Sequence, residues 1–220
     1  TTFRALVLRK SDSGATLAFE QLPVSALPRG DVLVAVAWSS LNYKDGLALK
    51  AAPGIVRAWP MVPGIDLSGT VVESSSPLFR PGDRVVATGC GLGETHWGGY
   101  AEMARVPSDW LVPVPQEFSL LQAMGIGTAG FTAMQAVLAL ERHGVLPSGK
   151  EVVVTGAAGG LGSVAVAILA RLGYRVVAAT RRDTTHEHLW TLGVSQIIDS
   201  GQLAAPSQKP LESERWGGAV

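Results

Sequence analysis

Three glycines spaced three residues apart, Gly156, Gly159 and Gly162, stand between a run of valines and a helical pattern of apolar residues. In a strand–turn–helix unit, the first glycine lets the chain reverse, the second lets the backbone approach a pyrophosphate, and the third lets the helix pack closely on the strand. The helix N-terminus would bind the phosphate through its N–H groups and positive dipole end. The stretch from Glu151 to Gly173 therefore predicts a nucleotide-binding unit. A purely structural glycine turn is the alternative, because the spacing is G-x-x-G-x-x-G rather than G-x-G-x-x-G.

The choice of dinucleotide depends on the end of the next predicted strand, where an acidic residue about 20 residues beyond the first glycine would bind the ribose of NAD. This sequence has Thr180, Arg181 and Arg182 there. A guanidinium group offers a permanently charged, bidentate partner for a 2′-phosphate, so NADP(H) is favoured over NAD(H). A solvated arginine pair is the alternative. The residues predicted to bind NADP(H) in this region are Gly156, Ala158, Gly159, Gly160, Leu161, Thr180, Arg181 and Arg182.

The elements that must position these residues follow from hydrophobic periodicity. Valines 152–154 predict a buried parallel strand, residues 161–172 an amphipathic helix, and residues 174–179 and 195–199 two more strands. Before them the pattern predicts a β-rich region and, from Ser119 onward, helix. The domain boundary is therefore placed near residues 116–119, which gives domains 1–117 and 118–220. The strands predicted for the first domain are Phe3–Leu8, Thr16–Gln21 (paired around a turn at Asp12, Ser13 and Gly14), Asp31–Trp38, Asp66–Glu73, Asp83–Ala87 and Tyr100–Val106.

Composition narrows the class of partner. The 220 residues include 18 basic and 18 acidic side chains, so no charge bias points to nucleic acid, and a small-molecule substrate is expected. The single cysteine, Cys90, excludes an internal disulfide framework and fits a reducing compartment, so the cytoplasm is expected. No membrane segment or signal peptide is expected from the apolar runs.

Several motifs carry a family resemblance. SSLNYKDGLAL begins at Ser39, PMVPGIDLSGTV at Pro60, RPGDRV at Arg80 and WGGYAE at Trp97, and VVVTGAAGGLGSVAV follows in the second domain. Together they resemble the medium-chain dehydrogenase/reductase superfamily. Within it, the sequence is most similar to the zinc-free quinone-oxidoreductase-like group and to its acryloyl-CoA reductase (NADPH) branch.

The resemblance implies an α/β protein with a GroES-like β-barrel domain and a Rossmann domain, a doubly wound parallel sheet, with catalysis in the cleft between them. It implies NADPH-dependent reduction of the activated C=C bond of acryloyl-CoA to propanoyl-CoA. Tyr43 is expected beside the nicotinamide, as a catalytic and cofactor-binding residue, with a half-buried structural tyrosine as the alternative. Asn42 is the second catalytic candidate, as a donor to the substrate carbonyl, although a helix cap is the more economical interpretation.

Zinc is not expected. Zinc-dependent relatives have a Cys after the third strand and a Gly-His-Glu motif further on, whereas this sequence has Asn42 and Gly64-Ile65-Asp66 in those stretches. Without a metal, hydrogen-bond donors must polarise the thioester. Lys44 and Asp45 follow Tyr43 directly in the sequence. These two residues are expected to pair with each other or to face solvent.

Other polar residues stay outside the predicted site. Thr128 and Thr132 are expected to be structural. Lys50 and Arg57 are conceivable partners for the phosphates of CoA.

The sheet is expected to stop after its third strand, because the family begins its fourth strand at RWGGAV, where this sequence ends. The family also implies a homodimer of the full-length enzyme. Two alternatives to acryloyl-CoA reduction stay open. One is an NADPH-dependent quinone or enone oxidoreductase, and the other is a catalytically silent NADP-binding fragment.

Overall fold

The computed structural model describes residues 1–11, 14–52, 54–204 and 213–220. Within them the chain forms two compact units, Thr1–Thr128 (unit 1) and Ala129–Val220 (unit 2). The turn residues Asp12 and Ser13, and residues 205–212 of the segment before RWGGAV, lie outside the described residues.

Unit 1 is built mainly from antiparallel strands. A long hairpin, β1 with β2, stands beside a sheet with the strand order β6-β3-β4-β5-β7. The predicted strands are confirmed with small shifts at their ends, and β7 is an addition that the pattern did not predict. The elements of unit 1 are β1 (Thr2–Ser11), β2 (Gly14–Pro23), β3 (Val32–Trp38), α1 (Tyr43–Leu49), β4 (Asp66–Ser74), β5 (Arg84–Thr88), β6 (Met103–Val106) and β7 (Val112–Pro113).

The core of unit 1 explains the sheet. Val32 and Val34 of β3 are fully buried with Leu67 of β4 and Val85 of β5 in one apolar cluster. Burying each such side chain contributes about 1.5–3 kcal/mol. β3 pairs with β4 and β6, so this cluster holds the strand that leads to α1 and the strand that begins at Asp66.

A long helix, α2 (Leu120–Arg142), connects the two units. It is bent at Gly127, whose φ of 48° and ψ of −160° are not helical. The predicted start is confirmed, because the Ser119 hydroxyl accepts a hydrogen bond from the backbone N–H of Gln122 at 3.1 Å. The domain boundary predicted near residue 117 coincides with the start of this helix and stays a prediction.

Helix α2 has 23 residues and a mean hydropathy of 1.4, values that would also suit a membrane span. The sequence did not lead us to expect such a helix. Its Ala133 and Val137 are instead fully buried in the core of unit 2. In all, 33% of the apolar window of α2 is buried, so this packing covers part of the apolar surface of the helix.

Unit 2 has a parallel sheet with the strand order β10-β9-β8-β11. Valines of β8 and β9 are buried among residues of α3 such as Ala165 and Leu169, which explains their apolar runs. Within RWGGAV, where the family's fourth strand begins, β11 pairs in parallel with β8, so the described sheet has a fourth strand where the sequence led us to expect three. The α/β class with a Rossmann-like sheet is confirmed. The elements are β8 (Val152–Thr155), α3 (Gly160–Arg171), β9 (Val176–Ala179), α4 (His186–Thr191), β10 (Gln196–Ile198), α5 (Gly201–Ala204) and β11 (Gly218–Ala219).

Candidate active site

The glycine turn of unit 2, residues 156–162, has the geometry that its spacing predicts. Gly156 has a φ of +54°, so the chain reverses in the left-handed region that favours glycine. A Cβ at Gly162 would lie 2.4 Å from the carbonyl oxygen of Gly156 and 2.8 Å from the Cα of Ala157. The roles of Gly156 in the turn and of Gly162 in close packing are therefore confirmed, whereas the pyrophosphate contact of Gly159 stays a prediction.

Helix α3 begins immediately after this turn, with Gly159 as its N-cap. Within the described residues, no side chain caps this end and the first turn carries no acidic residue. The N–H groups of the first turn and the positive end of the helix dipole are thus available to an anion. Gly160 and Leu161, two predicted cofactor contacts, form this first turn.

A cavity of about 370 Å³ lies beside the glycine turn. Thr180 is buried, and its hydroxyl accepts a hydrogen bond from the backbone N–H of Arg182 at 3.1 Å. The two arginine side chains are exposed. A cavity lined by two guanidinium groups, a hydroxyl and a glycine backbone fits the phosphorylated ribose of NADP(H). The cavity is lined by Gly156, Ala158, Ala179, Thr180, Arg181, Arg182 and Ser200.

The two predicted catalytic residues stand at the start of α1 in unit 1. Tyr43 is its first residue, and 85% of the tyrosine is exposed, so the half-buried alternative is wrong. Asn42 is the N-cap, and its backbone N–H donates to the Asp45 carboxylate at 2.8 Å. The capping interpretation of Asn42 is therefore confirmed.

Asp45 corrects one expectation from the sequence. Its carboxylate does not pair with Lys44 or face solvent but is buried, with 1% of the residue exposed. It accepts hydrogen bonds from the backbone N–H groups of Asn42 and Ile65, the second at 2.9 Å. Lys44 pairs instead with Glu94. Residues adjacent on a helix point in different directions, which explains why the neighbouring charges do not meet.

A second buried carboxylate, Asp66, collects donors from distant parts of unit 1. Its Oδ2 atom accepts from the Ser40 hydroxyl at 2.5 Å, the Asn42 amide at 3.1 Å and the Thr128 backbone N–H at 2.9 Å. Its Oδ1 atom accepts from the Thr128 hydroxyl. We call Ser40, Asn42, Asp66 and Thr128 the Asp66 cluster.

The Asp66 cluster engages the side-chain amide of Asn42. Its Nδ2 atom donates to the Ser40 hydroxyl at 2.7 Å and to Asp66 at 3.1 Å. These two acceptor oxygens lie only 2.5 Å apart, so both are on one side of the amide nitrogen. The sequence did not identify Asp66 or Thr128 as site residues. The available signal was Asp66 itself, an acidic residue where zinc-dependent relatives have the Glu of Gly-His-Glu.

A partly buried tyrosine, Tyr100, stands close to both carboxylates. The Tyr100 hydroxyl donates to the backbone carbonyl of Ser40 at 3.1 Å. Burial, and next the nearby negative charge of Asp45, raise the pKa of Tyr100 above its ordinary range. This hydroxyl therefore stays protonated and acts as a hydrogen-bond donor in the structure around α1.

Two further kinds of site, one for the phosphates of CoA and one for a metal ion, were considered from the sequence. The Arg57 side chain lies 3.2 Å from Glu94, which it shares with Lys44, so only part of its charge is available to a phosphate. Among the described residues, no group of three or more His, Cys, Asp or Glu side chains could hold a metal ion.

The chain matches the family model of the alcohol dehydrogenase GroES-like domain over residues 28–116. It is 53% identical to the acrylyl-CoA reductase AcuI of Ruegeria pomeroyi, over 99% of this chain and 67% of that protein. It is 45% identical to the "putative quinone oxidoreductase YhfP" of Bacillus subtilis, over 100% of this chain and 67% of the relative.

Two crystal structures share the fold. That of the yhdH oxidoreductase from Salmonella enterica in complex with NADP has a TM-score of 0.94 at 51% identity, and the match covers 98% of this chain and 66% of that one. That of Bacillus subtilis yhfP with NAD bound also has a TM-score of 0.94. The chain spans about two thirds of the length of these relatives. With such identity over nearly its whole length, the chain belongs to the medium-chain dehydrogenase/reductase superfamily.

Proposed function

We propose that this chain belongs to an NADPH-dependent reductase that converts acryloyl-CoA to propanoyl-CoA without zinc. The observation that carries the proposal is the cavity beside the glycine turn, with Thr180, Arg181 and Arg182 on its wall. The acceptor is inferred from the 53% identity to an acrylyl-CoA reductase. A small-molecule substrate also agrees with the balanced charge of the chain.

NADPH, when bound, supplies the hydride that adds to the β-carbon of the enoyl thioester. Negative charge then develops on the thioester oxygen, and the α-carbon takes a proton. The exposed Tyr43 hydroxyl is the proposed donor or orienting group, because it is a hydrogen-bond donor on a rigid helix start. Asn42 is proposed to act from the same turn. The Asp45 carboxylate fixes this turn through the backbone of Asn42.

In unit 2, the first turn of α3 is proposed to hold the pyrophosphate, and Arg181 and Arg182 to hold the 2′-phosphate. We also expect a cytoplasmic enzyme that forms a homodimer and needs neither a membrane nor nucleic acid. Crystal structures of the relatives support a soluble protein.

Reduction of a quinone or another enone is the second candidate, since a relative with 45% identity is named a quinone oxidoreductase. The same hydride chemistry would serve both acceptors. NADH also needs testing, because the Bacillus subtilis relative was crystallised with NAD.

The test measures NADPH oxidation at 340 nm with acryloyl-CoA and with a simple quinone, and repeats both with NADH. It uses the full polypeptide that carries this sequence. Faster turnover of acryloyl-CoA with NADPH is the expected result. Turnover of the quinone alone would support the second candidate, and equal rates with NADH would contradict the role of the two arginines. Detection of propanoyl-CoA as the product would exclude non-productive NADPH oxidation.

A further inference from the structure

The Asp66 cluster brings together two parts of unit 1 that lie far apart in the sequence. Asn42 caps α1, directly before Tyr43, while Thr128 follows the bend in α2. Both donate to the same carboxylate, which is fully buried at the start of β4. Movement of this carboxylate would therefore move both segments.

Both oxygens of the Asp66 carboxylate accept hydrogen bonds. Four hydrogen bonds from Ser40, Asn42 and Thr128 reach its two oxygens. A buried charge is costly unless such donors compensate it, and charge-assisted hydrogen bonds are stronger than neutral ones. The cluster therefore has one favoured geometry, and the negative charge of Asp66 holds it.

The backbone is also shaped to fit this carboxylate. Gly127 has a φ of +48°, and a Cβ at this position would lie 2.8 Å from Oδ2 of Asp66. The bend thus brings the Thr128 N–H within bonding distance of the carboxylate and leaves no room for a side chain between them. Glycine is required at residue 127 both for its conformation and for this close approach.

We infer that Asp66 is a positioning residue for the reaction, which holds the Asn42–Tyr43 turn through the Asn42 amide and holds the bend of α2 through Thr128. The inference rests on the proposed function, because it assigns the turn to the substrate side of the active site. Asp66 acts through Asn42, whose amide it orients, and needs no contact with substrate or cofactor. A displacement of about 1 Å in such a turn can cost on the order of 100-fold in rate.

The test compares Asp66→Asn with Ser68→Ala in the full polypeptide that carries this sequence. Ser68 lies two residues along β4, is equally buried, and donates to the carbonyl of Leu120 at 2.9 Å. Its loss removes a buried hydrogen bond without touching the Asp66 cluster. Both variants should lower the melting temperature, but only Asp66→Asn should lower kcat.

We expect Asp66→Asn to lower kcat about 10- to 100-fold, with the Kd for NADPH nearly unchanged. A double-mutant cycle with Asn42→Ala separates positioning from general stability. If Asp66 acts through Asn42, the double variant should be no slower than the slower single variant. If the two rate losses multiply, Asp66 does not act through Asn42 and the inference is overturned.

Thr128→Val keeps the backbone N–H and removes only the hydroxyl donor, so it carries the test if Asp66→Asn does not fold. It should reduce kcat by a smaller factor than Asp66→Asn. If Asp66→Asn has the same kcat as the parent, the inference about Asp66 is overturned while the proposed function is not. The same holds for Thr128→Val where Asp66→Asn does not fold. Failure of the parent to reduce either acceptor overturns the proposed function instead.

Discussion

The glycine turn of unit 2 is made by residues that follow one another in the sequence, whereas the Asp66 cluster of unit 1 is made by residues far apart in it. All the glycines of the turn lie within residues 156–162. Asp66, by contrast, bonds residues that are 26, 24 and 62 positions away.

The two regions are also determined by different physical effects. The turn needs space for backbone atoms, which glycine supplies at any place where the chain must reverse or pack closely. The cluster needs a buried charge and enough donors to compensate it, which depends on the whole fold of unit 1. A substitution in the turn should therefore act through steric clash, and one in the cluster through unsatisfied polar groups.

The largest effect is expected from Gly162→Ala. The added methyl would lie 2.4 Å from the Gly156 carbonyl oxygen, and backbone atoms cannot move away as a flexible side chain could. We expect a loss of about 3 kcal/mol in the free energy of unfolding. The Kd for NADPH should rise as well, because the turn would shift away from the phosphates. Denaturant unfolding and NADPH fluorescence measure the two quantities.

Gly160→Ala is the matched control for this steric test. A Cβ at Gly160 would meet the Ala129 side chain at 3.6 Å, which is an ordinary contact. This variant should fold with nearly the stability of the parent, since alanine also favours helix. Equal stability of the two variants would mean that close packing at Gly162 does not define the turn.

The next effect concerns cofactor choice. Arg182→Ala and Arg181→Ala each remove a guanidinium group from the cavity beside the glycine turn. A hydrogen bond to a charged group contributes about 1.5–3 kcal/mol, so the variant that loses a phosphate contact should bind NADPH about 10- to 100-fold more weakly. Its affinity for NADH should hardly change. Fluorescence titration with both dinucleotides measures the ratio.

Arg171→Ala is the control, because it removes the same charge from an exposed position on α3 that does not line the cavity. Its NADPH affinity should equal that of the parent. If Arg181→Ala and Arg182→Ala each lose affinity for NADPH and NADH by the same factor, the two arginines do not bind the 2′-phosphate.

The sequence predicted the turn well because its physical requirements are local. A valine run, spaced glycines and a helical pattern predict Gly156, Gly162 and α3 without any long-range information. The strand order could be inferred only through the family resemblance. The cavity lining also included Ala179 and Ser200, which the motif did not indicate.

The sequence predicted unit 1 less completely. The strands followed from alternation and turn residues, and the capping role of Asn42 followed from its place before a helix. Asp45 and Asp66 could not be recognised as buried, because a lone acidic residue is usually exposed. Their burial depends on the N–H groups of Ile65 and Thr128, which only the fold brings near them.

A smaller effect is expected from Asp45→Asn, which tests a buried carboxylate outside the Asp66 cluster. The two oxygens of Asp45 accept from different backbone N–H groups, those of Asn42 and Ile65. An amide retains one acceptor and turns an NH₂ group toward the other N–H. The unsatisfied donor should cost about 1–2 kcal/mol in the free energy of unfolding, measured by denaturant unfolding.

Asp83→Asn is the control, because it makes the same chemical change in an exposed turn. There the Asp83 carboxylate accepts a hydrogen bond from the backbone N–H of Arg80. Water can replace the lost acceptor there, so its cost should be clearly smaller. Equal costs at Asp45 and Asp83 would argue that burial does not set the strength of these contacts.

The smallest effect is expected at Glu94, a carboxylate of unit 1 that pairs with side chains rather than backbone groups. The hydrogen bond from Lys44, more than the charge of Arg57, holds the pKa of Glu94 below its ordinary value. A lowered pKa stabilises the fold above the unfolded value of about 4.3, and this stability is lost as the pH falls through the folded value. Both cations are substantially exposed, so the contribution should be about 0.5 kcal/mol.

Glu94→Gln should therefore be less stable than the parent near pH 7, and the difference should shrink below about pH 4.3 as the parent protonates Glu94. Denaturant unfolding at several pH values measures this difference. Lys44→Met removes the main cause of the shift, so it should weaken the pH dependence while Arg57 retains part of it. A difference that stays constant from pH 7 to the acid limit would mean that the ion pairs beside α1 add no stability, leaving the buried carboxylates to hold the Asn42–Tyr43 turn.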